Sequence, residues 1–214
     1  MCGRYVRKDG TTVYSFFEID EIRIEWHPSY NVAPTTKVPV IRREDDGRRE
    51  LVELSWGLRP FWAKPDAKLP MMINARAETV ASKPSYRSAF KSRRCIVPAS
   101  GYFEWQKLPE GGKQPYYFER ADGNPMAFAG IWDGETVATI TTSPNAEAAL
   151  IHDRMPVIVE PQNLTLFLDP KPLSEDERAV LLAPSPDGIL KAWPVSKLVG
   201  NVKNNGPGLI DAVS

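Results

Sequence analysis

Met126-Ala-Phe-Ala-Gly-Ile-Trp132, followed after three residues by Thr136-Val-Ala-Thr-Ile-Thr-Thr142, decides the fold class. The second run is almost wholly β-branched, a composition that packs well on a pleated surface and loses side-chain freedom in a helix. Both runs read as strands. Working outward, Cys95-Ile-Val-Pro98, Pro115-Tyr-Tyr-Phe118 and Pro156-Val-Ile-Val159 read the same way. So do Val38-Pro-Val-Ile41 and Leu51-Val-Glu-Leu-Ser-Trp56, which flank the charged turn Glu44-Asp-Asp-Gly47. Helices are fewer: Thr12 to Ile19, Tyr86 to Lys91, and a segment opened by the capping box Ser174-Glu-Asp-Glu177 and closed by Pro184. The expectation is an α+β fold: one compact, β-rich domain over residues 1–214, with mixed and antiparallel sheets and a few short helices.

Composition agrees. A chain of 214 residues buries roughly 70% of its unfolded surface, enough for a core without staples. At 42% hydrophobic and 25% charged it is neither disordered nor fibrous. No apolar run approaches the ~20 residues of a membrane span, and the N-terminus carries no hydrophobic signal region. Two cysteines do not make a disulfide framework, so a reduced, cytoplasmic protein is expected. The 20 prolines suit many short elements joined by rigid turns. Net charge is zero but uneven: Arg76, Lys83, Arg87, Lys91, Arg93 and Arg94 face one acid, Glu78, whereas acids dominate from Glu160 to Leu190. On charge alone these are two solvated faces.

Several residues have chemistry suited to a site. If Met1 is removed, Cys2 carries an α-amine and a thiol on one residue. The α-amine has a pKa of ~7.7–8.0 against ~10.4 for lysine, so far more of it is the free base at neutral pH. A neutral amine attacks an aldehyde, and the adjacent thiol then closes a five-membered thiazolidine; from this position alone, an ordinary cysteine near a frayed terminus is the plainer reading. Cys95, in an apolar run, reads as core. Glu104, in Gly101-Tyr-Phe-Glu-Trp105, either points to water from a strand or is desolvated among aromatics, which would raise its pKa and suit it to proton transfer. His152 lies in His152-Asp-Arg-Met-Pro156, at a boundary before a strand; His27 reads as a surface residue. Two histidines and two unclustered cysteines do not make a zinc site of the usual spacing, and no metal is expected. Asn74-Ala-Arg76-Ala-Glu78 offers an amide and a planar guanidinium suited to phosphate. The aromatics of Trp56-Gly-Leu-Arg-Pro-Phe-Trp62 either fill the core or stack on bases.

These motifs occur in a fixed order: Met-Cys-Gly-Arg-Tyr5, Asn31-Val-Ala-Pro-Thr35, Trp56-Gly-Leu58, Asn74-Ala-Arg-Ala-Glu78, Arg94-Cys-Ile-Val-Pro-Ala-Ser-Gly-Tyr-Phe-Glu-Trp105, His152-Asp-Arg-Met-Pro156 and Val199-Gly-Asn-Val-Lys-Asn-Asn-Gly206. The set resembles the SOS-response-associated peptidase family, the abasic-site-processing proteins, over nearly the whole chain. Tyr5 replaces a frequent Phe. The resemblance implies a β-rich fold around a narrow, positively charged channel, which gives the basic run a role. It implies that Cys2 crosslinks to the aldehyde of an abasic site, that Asn74 orients Cys2, and that Glu104 and His152 act as acid and base. It further implies that Arg4, Arg76 and Arg154 contact phosphates and that Thr141 lies near the deoxyribose. Pro34, Trp62 and Trp105 would frame bent DNA. The implied partner is single-stranded DNA containing abasic sites, taken by a cytoplasmic, nucleoid-associated monomer without cofactor or membrane.

Two other classes fit parts of the pattern. Cys2, His152 and Asn74 are the residue types of a thiol peptidase, including one that processes its own N-terminus. A non-covalent single-stranded DNA binding module would need only the arginines and aromatics.

Overall fold

The computed structural model describes residues 2–44, 46–64 and 70–213. Its strands in chain order are β1 (Tyr5–Arg7), β2 (Glu21–Ile22), β3 (Ser29–Val32), β4 (Lys37–Arg43), β5 (Arg49–Trp56), β6 (Asn74–Arg76), β7 (Arg94–Ala99), β8 (Gly101–Lys107), β9 (Lys113–Arg120), β10 (Met126–Asp133), β11 (Thr136–Thr142), β12 (Met155–Pro156) and β13 (Leu190–Pro194). The helices are α1 (Gly10–Phe16), α2 (Arg87–Ser92), α3 (Ala146–Ala149), α4 (Leu164–Leu168) and α5 (Glu175–Leu181), with three short 3-10 turns. The α+β reading with mixed sheets holds.

Two sheets share the strands. The smaller has the order β13-β9-β8-β1-β3 and is antiparallel throughout. The larger runs β12-β11-β10-β7-β4-β5-β2, with β6 added alongside β11. A parallel pairing of β11 back onto β5, through Thr136↔Ser55 and Val137↔Trp56, closes β5, β4, β7, β10 and β11 into a ring. The hairpin expected around 44–47 is β4–β5, paired from Lys37↔Ser55 to Arg43↔Arg49, with Gly47 at φ 91° in its turn; Asp45 lies outside the described residues. The expected strand 136–142 is β11 to the residue. It is covered on both faces, so every residue from Val137 to Thr142 is buried.

The chain passes from the larger sheet to the smaller at Ser100, between β7 and β8. There the Ser100 N–H donates to the Val6 carbonyl (2.7 Å), and its hydroxyl accepts from the Lys8 N–H (2.8 Å). Gly101 follows because a Cβ at that position would fall against the Tyr117 ring and the Phe118 carbonyl oxygen. Between the sheets lies an aromatic core. Tyr5 meets Trp56 and Phe128 edge-on (5.6 and 6.2 Å between centroids), and Tyr102 stacks on Phe118 (4.6 Å). Cys2 belongs to this cluster, so the start of the chain is part of the core.

Two expected segments differ. The helix expected at 12–19 runs from Gly10 to Phe16. Gly10 starts it because only a glycine fits under the Trp26 ring, and Glu18 at φ 49° stops it. The run 156–159 is a regular strand only at Met155–Pro156, after which Ile158 makes an isolated bridge to Phe128. The helix opened by Ser174 carries the expected capping box, with both reciprocal bonds formed.

Arg94 departs from the solvated-face reading of the basic run. It is buried, and its guanidinium donates to the carbonyls of Phe90 (2.8 Å), Lys91 (2.9 Å), Phe167 (2.8 Å), Asp169 and Lys171 (2.8 Å). These are the unpaired carbonyls at and beyond the C-terminal ends of α2 and α4, where a cation is favoured. Arg94→Met keeps the stem and removes every one of these donors. The urea unfolding free energy of that variant is expected to fall by about 3 kcal/mol, well beyond what loss of a solvated surface charge would cause.

Candidate active site

Cys2 is 2% exposed. The side-chain amide of Asn74 donates to its backbone carbonyl through Nδ2 (2.9 Å). Asn74 opens β6, which lies parallel to β11 with Asn74 beside Thr139, Ala75 beside Ile140 and Arg76 beside Thr141. Because strand side chains alternate, Asn74, Arg76, Thr139 and Thr141 share one face. The Thr139 hydroxyl lies 2.5 Å from Asn74 Oδ1, and the Tyr86 hydroxyl donates to the Asn74 carbonyl (3.2 Å).

Glu104 comes from the other sheet. β8 is covered on both faces over its first four residues, so Glu104 is 3% exposed and does not point to water. One of its oxygens accepts from the Trp105 N–H (3.3 Å) and lies 3.8 Å from His152 Nε2. His152 is presented by the turn after α3, where its N–H donates to the Ala148 carbonyl (2.9 Å). Its Nδ1 accepts from the Arg154 N–H (3.1 Å), which in the neutral ring puts the proton on Nε2, facing Glu104. Asp153 Oδ1 lies 3.0 Å from the same Nδ1. Burial pushes the Cys2 thiol pKa well up, and the Glu104 carboxylate pushes it further, while the positive chain terminus and, after it, the Arg4 N–H work against them. The sulfur is therefore held as the neutral thiol. Cys95 is likewise buried and pushed up, as core.

Two of the three candidate arginines are held by the protein. Arg4 donates to Asn31 Oδ1 (3.1 Å) and the Val199 carbonyl (3.0 Å). The Asn31 amide in turn donates to the carbonyls of Val199, Asn201 and Asn204 (3.2, 3.1 and 2.9 Å). The motifs at 31–35 and 199–206 are thus one brace around Arg4. Arg154 forms a two-pronged pair with Glu78 (2.6 and 3.1 Å) and also donates to the Thr141 carbonyl (2.5 Å). Arg76 is exposed.

Cys2, Asn74, Glu104, His152, Arg154 and Thr141 thus form one connected group, with Arg76 beside it by register and Arg4 two residues along from Cys2. Trp105 joins through its backbone and packs its half-buried ring on the core of the smaller sheet. Pro34 and Trp62 sit toward the surface, outside this group. Pro34 precedes Thr35, a β-branched residue at φ 71°, and Trp62 is half-exposed beside the more exposed Phe61. Asn31, Glu78 and Thr139 join the candidate residues without a role legible in the sequence. Only the i, i+2 spacing of Thr139 and Thr141 hinted at the last. Among the described residues, no three His, Cys, Asp or Glu side chains gather as a metal site requires, and no helix is long and apolar enough to cross a membrane.

Comparison with known proteins gives a consistent result. A family profile described as SOS response associated peptidase matches residues 1–202. The abasic site processing protein YoqW of Bacillus subtilis is 39% identical over 224 residues, covering 99% of this chain and all of that protein. YedK of Escherichia coli, also named an abasic site processing protein, is 32% identical over 230 residues, with both chains fully covered. A crystal structure of a protein from Bacteroides thetaiotaomicron superposes with a TM-score of 0.86 at 27% identity, again over the whole of both chains.

The Glu78–Arg154 pair has a pH signature. The Arg154 hydrogen bonds hold the Glu78 carboxyl below its ordinary range. A depressed folded-state pKa contributes stability above the unfolded value and loses it as pH falls through the folded value. Because Glu78 is half-exposed, Glu78→Gln is expected to cost only about 0.5 kcal/mol at pH 7. That difference should vanish between about pH 5 and pH 2 in thermal melts of the two proteins.

Proposed function

Since the chain belongs to the SOS response associated peptidase family, we propose that it processes abasic sites in DNA by forming a covalent crosslink through Cys2. The observation that supports this most is the hold on Cys2: its carbonyl is fixed by Asn74 while its thiol stays neutral beside Glu104. After removal of the preceding residue, the Cys2 α-amine attacks C1′ of the open-chain abasic sugar. The carbinolamine loses water to give an imine. The thiol then adds across the C=N bond, forming S–C1′ while its proton passes to nitrogen. The product is a thiazolidine, and one water is released overall. With neither aldehyde nor imine left to acidify the C2′ proton, the strand is shielded from β-elimination. Reversal takes up water and needs a protonated ring.

This order of events suits a neutral thiol. A Cys–His peptidase instead needs its cysteine pKa lowered to give a thiolate, and burial beside a carboxylate does the opposite. Glu104 and His152, 3.8 Å apart, supply the acid and base for ring opening, dehydration and reversal. Arg4, Arg76 and Arg154 are assigned to phosphates, Thr141 to the deoxyribose, and Pro34, Trp62 and Trp105 to the bases around the lesion. Exposed Trp62 suits unpaired bases, so the partner is read as single-stranded DNA, bound by a monomer. Residues from Cys2 to Asn204 meet in this one arrangement, which supports reading the chain as one functional domain.

Intact mass spectrometry of the protein incubated with an abasic oligonucleotide tests the proposal. A stable adduct lacking one water, on a chain lacking Met1, is expected. Cys2→Ala keeps the amine and loses the thiol, so it is expected to give only a transient imine that borohydride traps and heating releases. An equally heat-stable, unreduced adduct in Cys2→Ala would exclude the thiazolidine.

Glu104→Gln separates reversal from formation. Opening a closed thiazolidine requires a proton donor, so transfer of the protein from a labelled abasic strand to an unlabelled competitor is expected to slow more than adduct formation does. DNA binding should stay nearly unchanged. Wild-type transfer rates in Glu104→Gln would remove Glu104 from the mechanism.

A further inference from the structure

We infer that Thr139 is a positioning residue for the crosslinking reaction: its hydroxyl fixes which end of the Asn74 amide faces Cys2. This rests on the function proposed above, but the geometry that supports it is independent of the lesion.

A side-chain amide is almost symmetric in shape and opposite in polarity at its two ends, so its orientation is set by its neighbours. On one side of Asn74 is the Cys2 carbonyl, 2.9 Å away, which can only accept. Nδ2 must face it, since the flipped amide would set two acceptor oxygens against each other. Oδ1 then faces the other way and needs a donor. The Thr139 hydroxyl lies 2.5 Å from it. The same hydroxyl is 3.4 Å from the Ile73 carbonyl, so its single proton is better placed on Asn74. Thr139 is 3% exposed, which leaves little room for water to substitute.

The hydroxyl is itself held in place. The Thr139 N–H donates to the Ile73 carbonyl (3.0 Å), and the β6–β11 register sets Thr139 beside Asn74. A β-branched side chain in a strand has few rotamers, so backbone pairing fixes the hydroxyl as well. The polarity runs Thr139 O–H to Asn74 Oδ1, then Asn74 Nδ2–H to the Cys2 carbonyl. Fixing that carbonyl fixes the plane of the peptide after Cys2 and restricts where the amine can point.

The test is a double-mutant cycle on the protein with Met1 removed, using an abasic single-stranded oligonucleotide and the rate of stable adduct formation. Thr139→Val, nearly isosteric, is expected to slow formation by about three- to tenfold, the effect of one net hydrogen bond. Thr139→Ser restores the hydroxyl and should recover most of the rate. In an Asn74→Ala background Thr139→Val should cause no further loss, because the two act through one contact. A wild-type rate in Thr139→Val, no recovery in Thr139→Ser, or independent slowing in the double variant would overturn the inference. A second readout does not depend on the reaction. Hydrogen exchange of the Asn74 side-chain amide, followed by NMR, should be faster in Thr139→Val at matched global stability. Unchanged exchange would overturn the inference even if adducts form. If wild-type protein forms no adduct while exchange responds as expected, the crosslinking reading fails and the orienting contact stands. Should Thr139→Val not fold, Thr139→Ala takes its place in both measurements.

Discussion

The start of a chain is the hardest part of a protein to hold still, because it is tethered on one side only. Here the tether is the hydrogen bond from Asn74 to the Cys2 carbonyl, and the arrangement of the sheets makes that bond available. β6 is only three residues long, yet its parallel pairing with the buried β11 fixes Asn74 opposite Cys2. β1 begins three residues after Cys2 and is pinned by Tyr5↔Tyr102 to β8, the strand that carries Glu104. The crossing at Ser100 therefore sets the distance between the carboxylate and the thiol. Disturbing either sheet would move one half of the site against the other.

The same economy governs the charges. Two guanidinium groups near the site are occupied rather than waiting in solvent: Arg4 by Asn31 and a main-chain carbonyl, Arg154 by Glu78 and Thr141. Such groups are pre-oriented, so less side-chain freedom is lost when an anion arrives. A phosphate reaching Arg154 must share it with Glu78, which lowers affinity for any anion that does not also engage the rest of the site. Paired with Glu78, Arg154 adds little net charge of its own to this part of the neutral chain.

Much of this was legible in the residues, and what was not has specific causes. The β-branched run 136–142 and the capping box at Ser174 are strong local signals, and both fall where expected. β1, β3 and β6 are three or four residues long and exist only through tertiary pairing, so no local period reveals them. Glu104 was ambiguous because alternation predicts exposure only for a strand with one wet face, and β8 has none there. The motifs around Cys2, Asn74, Glu104 and His152 pointed to residues that do meet. Arg94 looked like part of a basic surface, because sequence does not reveal that five carbonyls converge on one buried guanidinium. Thr139 was hidden for the opposite reason: a threonine in a strand looks like packing.

The burial of Cys2 also sets a clock. β1 can pair with β3 early, but it has no partner across the seam until β8 has been made. At ~5–20 residues per second, roughly 5–20 seconds pass between emergence of the first residues and completion of residues 101–107. Cys2 reaches its buried place in the core only after that interval. The first residue of the group to be synthesised thus waits for a strand made about a hundred residues later before it is held.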